Sequence, residues 1–312
     1  MKRFQNILVA VDSRQDKHPA LQWAARLAEH NQAKLRIVDV LPDLSWIAKL
    51  VLTDSEKSQE ALAEQKRRML QTVAEPIRAQ GVEVTTELLF GKTSFAIMHE
   101  VLRSGHDLVV RVTKGAHSGR TGFFGTTSMR LLRKCPCAVW LVRGDTEPRF
   151  SRVLAAVDPA PHDDAREIMN KTIMDLGQSI AEYEKGQFHV VHAWKLGSGD
   201  ESWLHPDQLE ETVRKVKMEG AAALDNFLAP YKLSHRGDSV HLLHDEIGPG
   251  HAISELAKKQ DVDLIVMGTI ARTGVVGALM GNTAEQVIDR IECSVLAVKP
   301  DDFVSPVTLP DV

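Results

Sequence analysis

Phe4-Gln-Asn-Ile-Leu-Val-Ala-Val-Asp12 and Phe150-Ser-Arg-Val-Leu-Ala-Ala-Val-Asp158 are two versions of one motif, a short apolar run closed by an aspartate. Such runs, rich in β-branched residues, read as strands buried on both faces. A second pair of segments fixes their relation. Asp107-Leu-Val-Val matches Asp263-Leu-Ile-Val at an offset of 263 − 107 = 156, and the match continues without a gap through Gly125/Gly281, Cys137/Cys293 and Val142/Val298. Nine of these 36 aligned positions are identical, and 156 is half of the 312 residues. The simplest account is a duplicated domain.

Each copy alternates strand-like and helix-like stretches. In the first, strands are predicted over 7–11, 34–41, 82–90, 108–112 and 138–142, with helices over 19–30, 55–79, 95–103 and 126–133. In the second, strands over 153–157, 188–194, 240–244, 264–268 and 295–298 alternate with helices over 165–180, 206–228, 252–259 and 283–290. Strands apolar on both faces and separated by helices call for a parallel sheet covered on both sides. The expected fold class is α/β: two tandem doubly wound, Rossmann-like five-stranded parallel sheets, over 1–145 and 150–300. Gly144-Asp145-Thr146-Glu147-Pro148 reads as the linker, and 301–312 as a polar tail.

Composition narrows the function classes. The chain has 38 Lys+Arg against 42 Asp+Glu, a net charge of −4, and is 43% hydrophobic, which excludes a largely disordered protein. That balance gives no electrostatic footprint for nucleic acid. Three cysteines cannot form a paired disulfide framework, so a reducing compartment is expected. The apolar run Ile7–Val11 is too short for a signal-peptide core, and no stretch approaches the ~20 apolar residues of a membrane span. The expectation is a soluble, cytoplasmic protein.

Ligands of open parallel sheets bind outside the carboxyl ends of the strands. Asp12 and Asp158 stand there, as does the loop after the fourth strand of the second copy, Gly268-Thr-Ile-Ala271-Arg-Thr-Gly274-Val-Val-Gly277-Ala-Leu-Met-Gly281-Asn282-Thr283. Glycines allow backbone N–H groups to approach a ligand, and a helix that opens at Gly281-Asn282-Thr283 presents free N–H groups to an anion such as phosphate.

The strand Ile-Leu-Val-Ala-Val-Asp, then Asp-Leu-Ile-Val-Met-Gly-Thr, then Gly-Asn-Thr-Ala-Glu-Gln-Val-Ile before a last strand, resembles the universal stress protein family. Two such domains in one chain resemble its tandem members. ATP-binding members carry Gly-x2-Gly-x9-Gly-Ser/Thr around phosphates and ribose, with the first-strand aspartate near adenine. The resemblance therefore implies a nucleotide site in the second domain at Asp158, Ala193, Gly268, Thr269, Ala271, Arg272, Gly281, Asn282 and Thr283. The spacing holds, although Ala271 replaces the second glycine and Asn282 the hydroxyl residue. The first-domain counterparts are Asp12, Val40, Gly115, Gly125 and Thr126, with Val112 in place of the leading glycine. ATP or a related nucleotide, with Mg²⁺ in the case of ATP, is the implied cofactor. A stress-response binding module follows, with a weak Mg-dependent ATPase or a carrier with an apolar inter-domain cavity as alternatives. No catalytic residue is assigned.

Other features have plainer readings beside sharper ones. Asp12 and Asp158 can equally cap a turn. Gly91-Lys92-Thr93 imitates a phosphate loop but lacks its leading glycine at Thr86. Gly115 to Gly125, with His117 and Arg120, is either a solvated loop or one that closes over an anion. Of the 13 histidines, His189/His192 and His241/His244 lie on adjacent strands. Residues three apart on a strand face opposite sides, so zinc would require His192 and His244 to converge, with His205 or Asp245. Cys135-Pro-Cys137 has no helix N-terminus to lower a thiol pKa and reads as packing. The apolar final strands, Val139–Val142 and Val295–Val298, invite edge pairing. In the family that edge makes the dimer, which implies an intramolecular pseudo-dimer. Trp46–Leu52 and Trp203–Leu204 either close the core or offer apolar surface to a second ligand or a homodimer.

Overall fold

The computed structural model describes residues 4–13, 15, 17–42, 55–113, 124–144, 149–159, 164–196, 206–269 and 280–309. The chain forms two compact units, one built on residues 1–148 with 303–312, the other on 149–274 with 278–302.

The first unit runs β1 (Asn6–Ala10), α1 (Pro19–Asn31), β2 (Lys34–Leu41), α2 (Ser55–Ala79), β3 (Val84–Phe90), α3 (Thr93–Ser104), β4 (Leu108–Val112), α4 (Gly125–Lys134) and β5 (Ala138–Val142). Its strands are parallel, in the order β3-β2-β1-β4-β5. Crossovers between parallel strands are right-handed, so the reversal of direction at β1 puts α1 and α2 on one face and α3 and α4 on the other. Ile7, Leu8 and Val9 are fully buried, as strands covered on both sides must be. Trp23 of α1 and Trp140 of β5 meet with ring centroids 3.7 Å apart, both essentially inaccessible.

The second unit repeats the plan with β6 (Arg152–Ala156), α5 (Asp164–Glu184), β7 (Gln187–Trp194), α6 (Pro206–Leu228), β8 (Val240–His244), α7 (Pro249–Lys259), β9 (Leu264–Gly268), α8 (Asn282–Arg290) and β10 (Ser294–Val298). The order is β10-β9-β6-β7-β8, again parallel. Every strand and helix expected from the sequence is present, with ends displaced by three residues or fewer apart from the C-terminus of α5. That helix runs to Glu184 because Ile180 and Ala181 still face the core.

The C-terminal segment is more than a polar tail. Val307 is buried and the Ser305 hydroxyl donates to the Lys134 carbonyl at 2.7 Å, which fastens residues 303–309 to the first unit. Contacts of this kind leave almost no periodic signal in a sequence. No helix among the described residues is long and apolar enough to cross a membrane.

Candidate functional site

At the carboxyl edge of the second sheet the chain leaves β6, β9 and β7 in different directions and opens a cavity of about 530 Å³. Its wall is Val157 and Asp158 after β6, His192 to Lys195 at the end of β7, Met267 to Thr269 at the end of β9, and Gly281 to Ala284 at the start of α8. Arg166 and Asn170 of α5 and Pro249 and Ile253 of α7 complete it. Asp158, Ala193, Gly268, Thr269, Gly281, Asn282 and Thr283, seven of the nine residues expected in this domain, thus line one cavity. The other two, Ala271 and Arg272, lie outside the described residues, as do Gly115, His117, Arg120, His205 and the loops 46–52 and 203–204.

The aspartate is held from two sides. Asn170, a buried amide on the inner face of α5, accepts from the Asp158 N–H at 3.0 Å and donates to its carbonyl at 2.9 Å. The carboxylate is engaged by the Arg166 guanidinium at 2.8 Å, and its other oxygen lies 3.9 Å from His192 Nδ1. It therefore forms an ion pair with α5. His192 is buried, with Nδ1 3.2 Å from the Val157 carbonyl. Burial pushes the imidazole below its ordinary pKa, against the opposing pull of Asp158 and of that carbonyl.

Two features of the wall bear on the chemistry of the cavity. The N-cap of α8 is Gly281, in extended conformation, which has no side chain to cap the first N–H groups of the helix. The Thr269 side chain is 1% exposed and its hydroxyl has no hydrogen-bond partner among the described residues. A buried hydroxyl in this condition is costly unless something bonds it.

The equivalent place in the first unit is filled by its own charges. Asp39, in the position of His192, lies against Lys66 of α2, and Lys66 donates to the Ser13 hydroxyl at 2.9 Å. Asp39 also accepts from the Ser13 N–H at 3.0 Å, and all three residues are buried. Arg111 on β4 is half-buried, within electrostatic reach of Asp12 and Asp39. Desolvation pushes its pKa down and the two carboxylates push it back up. Sequence reasoning flagged this copy as degraded through Val112. It missed Lys66 and Arg111, because only tertiary packing brings residues so far apart in sequence together. Arg166 and Asn170 were missed too, although a lone Asn among the apolar positions of α5 was a visible signal.

The histidines of β7 and β8 take different partners. His244 packs against Trp194 with tilted rings, centroids 4.3 Å apart, while His192 turns to the Val157 carbonyl. Among the described residues no group of three or more His, Cys, Asp or Glu is placed to hold a metal ion. The close pair is His189 and His241, with Nδ1 and Nε2 3.3 Å apart and the rings stacked. Parallel register explains it, since His241 lies opposite Val191, on the same face as His189 and two residues along the strand. The same two positions in the first unit are Arg36 and Glu87, an ion pair of 3.0 Å that also engages the buried Glu100. Cys135 and Cys137 are buried with sulfurs 3.7 Å apart, consistent with packing.

Known proteins resemble the whole chain. Universal stress protein E of Escherichia coli (strain K12) is 29% identical over 317 aligned residues, covering 100% of this chain and 99% of that protein. The Universal stress protein E homolog of Haemophilus influenzae is 30% identical, covering 96% and 98%. Among solved structures, the functionally unknown protein PA1789 from Pseudomonas aeruginosa PAO1 matches with a TM-score of 0.74 and 26% identity, over 96% of this chain and 94% of that one. The domain model of the universal stress protein family matches residues 3–143 and again 149–299, so the chain belongs to the universal stress protein family, with its domain present twice.

Proposed function

We propose that the chain is a stress-response binding module whose second domain takes a nucleotide or another phosphate-bearing small molecule. The observation that carries this reading is convergence. Residues separated by up to 125 positions, from Asp158 to Thr283, line one cavity that ends on a helix N-terminus with glycine as its N-cap and on a buried hydroxyl without a partner among the described residues. Its volume falls within the ~300–1,000 Å³ usual for small-molecule sites. In this reading the phosphate occupies the start of α8 beside Thr269, and the base or other polar head faces Asp158, Arg166 and Ala193.

Titration calorimetry with ATP, ADP and GTP tests it, alongside Gly281→Asp. Gly281 has φ −66°, a conformation open to any residue, and Asp is a favoured N-cap. The variant should therefore fold at least as stably while putting a carboxylate where the phosphate belongs. Loss of binding with the melting temperature retained is the expected result. No heat from any phosphate-bearing ligand at millimolar concentration removes the reading.

A further inference from the structure

We propose that His192 is a proton-dependent selector in the cavity of the second domain, which rests on the nucleotide reading above. As a neutral ring it accepts a hydrogen bond from a base that donates, and as a charged ring it donates to a base that accepts. The orientation of the ring is set from behind. Nδ1 lies 3.2 Å from the Val157 carbonyl, which can only accept, so the neutral ring carries its proton on Nδ1 and its lone pair on Nε2. His192 is part of the cavity wall, and its Nε2 has no hydrogen-bond partner among the described residues. Burial favours the neutral ring, while Asp158 and the carbonyl pull the other way.

Register places this nitrogen at the base rather than at the phosphate. Continuing the pairing of β6 with β7 and β9 by one residue sets Val157 between His192 and Gly268, in one row across the sheet. His192 and Thr269 therefore stand two strand spacings apart, ~10 Å. Gly281 donates its N–H to the Thr269 carbonyl at 3.0 Å, so a phosphate at the start of α8 lies on the far side of that gap and the ribose spans it. On the near side, Asn170 binds the Asp158 main chain through both its oxygen and its nitrogen, and His244 of β8 turns to Trp194. The charged groups of the described wall are Asp158, 3.9 Å from Nδ1 and engaged by Arg166 of α5, and Lys195 at the end of β7, while α7 and α8 contribute uncharged residues. The carboxylate favours the protonated ring and the two cations oppose it.

Calorimetric titration of the full chain with ATP and with inosine triphosphate, which carries a carbonyl in place of the amino group, tests the proposal from about pH 8 down to about pH 5. Nitrogen NMR of the histidine rings, recorded without ligand, reports the proton of His192 directly. At the alkaline end the proton should sit on Nδ1, and ATP should bind about tenfold tighter than inosine triphosphate. That ratio should fall in step with protonation of His192, and taking the ratio cancels the titration of the phosphates, which both ligands share. His192→Gln, whose amide can turn either its carbonyl or its NH₂ to the base, should bring the two ligands to parity and remove the pH dependence of the ratio. The proposal is overturned if the proton sits on Nε2, if the wild-type chain binds both ligands equally, if the ratio ignores the titration of His192, or if the Gln variant keeps the wild-type ratio. No heat from either nucleotide at millimolar concentration overturns the nucleotide reading and this proposal together, an outcome distinct from equal binding. Should His192→Gln fail to fold, the ring spectra and the pH course of the ratio decide alone.

Discussion

Thr269→Val is the most informative single substitution, because it should move stability and binding in opposite directions. The two side chains have nearly the same shape, so the change exchanges a hydroxyl for a methyl in a place that is 1% exposed. That hydroxyl has no partner among the described residues. Burying a hydroxyl unbonded costs about 1–3 kcal/mol in proteins, so the ligand-free variant should gain on the order of 1 kcal/mol. A phosphate oxygen that accepts from this hydroxyl makes a charge-assisted bond worth about 1.5–3 kcal/mol, so the same variant should bind about ten- to a hundredfold more weakly. Urea unfolding without ligand gives the first number and calorimetry the second. Thr113, equally buried and unpartnered after β4, provides the control. Thr113→Val should stabilise and leave binding unchanged. A loss of stability in Thr269→Val would show that the hydroxyl already has a bond, and unchanged affinity would show that no ligand atom meets it.

Further outcomes follow from the same coordinates. Lys66→Met should cost about 3–5 kcal/mol in urea unfolding, because it leaves the buried Asp39 carboxylate with the Ser13 hydroxyl, the Ser13 and Val40 N–H groups and the Arg111 charge nearby but without its direct ion-pair partner, whereas Asp39→Leu with Lys66→Met should recover most of the loss. If the double variant is as unstable as the single one, the pair is a packing element and not an ion pair. His189 and His241 are both pushed below the ordinary imidazole pKa, mainly by burial, then by Arg152 in the case of His189 and by the neighbouring ring in the case of His241. The folded state thus resists protonation that the unfolded chain accepts. Stability is whole above about pH 6.5 and is lost as pH falls through the depressed folded values. A chain carrying both His→Gln changes should show a flatter stability profile between about pH 7 and 5, and an unaltered slope would count against the linkage. Gly250→Ala should destabilise by about 1–3 kcal/mol and disturb the start of α8, since its Cβ would stand 2.4 Å from Gln286 Cβ and 2.9 Å from the Thr283 carbonyl. A wild-type melting temperature would refute that close approach.

The fold was legible because its signal is local and doubled. Five apolar runs alternating with amphipathic segments, written twice at a constant offset, leave little freedom beyond a two-sided parallel sheet in each copy. Much of the candidate site was legible for a related reason. Asp158, Gly268 and Gly281 stand at strand and helix ends, and the rule that ligands gather at the carboxyl edge of such a sheet turns those ends into neighbours. What the edge looks like in detail was not legible. Arg166 reaching Asp158, Asn170 clamping its peptide, and Lys66 and Arg111 entering the first copy are side-chain contacts between elements, invisible to any periodicity.

The histidines mark the boundary most clearly. Sequence alone dictated that His189 and His192 face opposite sides of a strand, since side chains alternate, and on that ground neither could chelate with the other. Which of them would meet a histidine of the next strand depended on the register, which sets His241 two residues along from the position opposite His189, and a one-residue slip exchanges every partner. Alternation, offset and strand ends belong to the linear chain because they follow from backbone geometry. The filling of one pocket by an ion pair and the opening of its twin were decided by tertiary packing, because a buried charge is tolerated only where the fold brings it a partner.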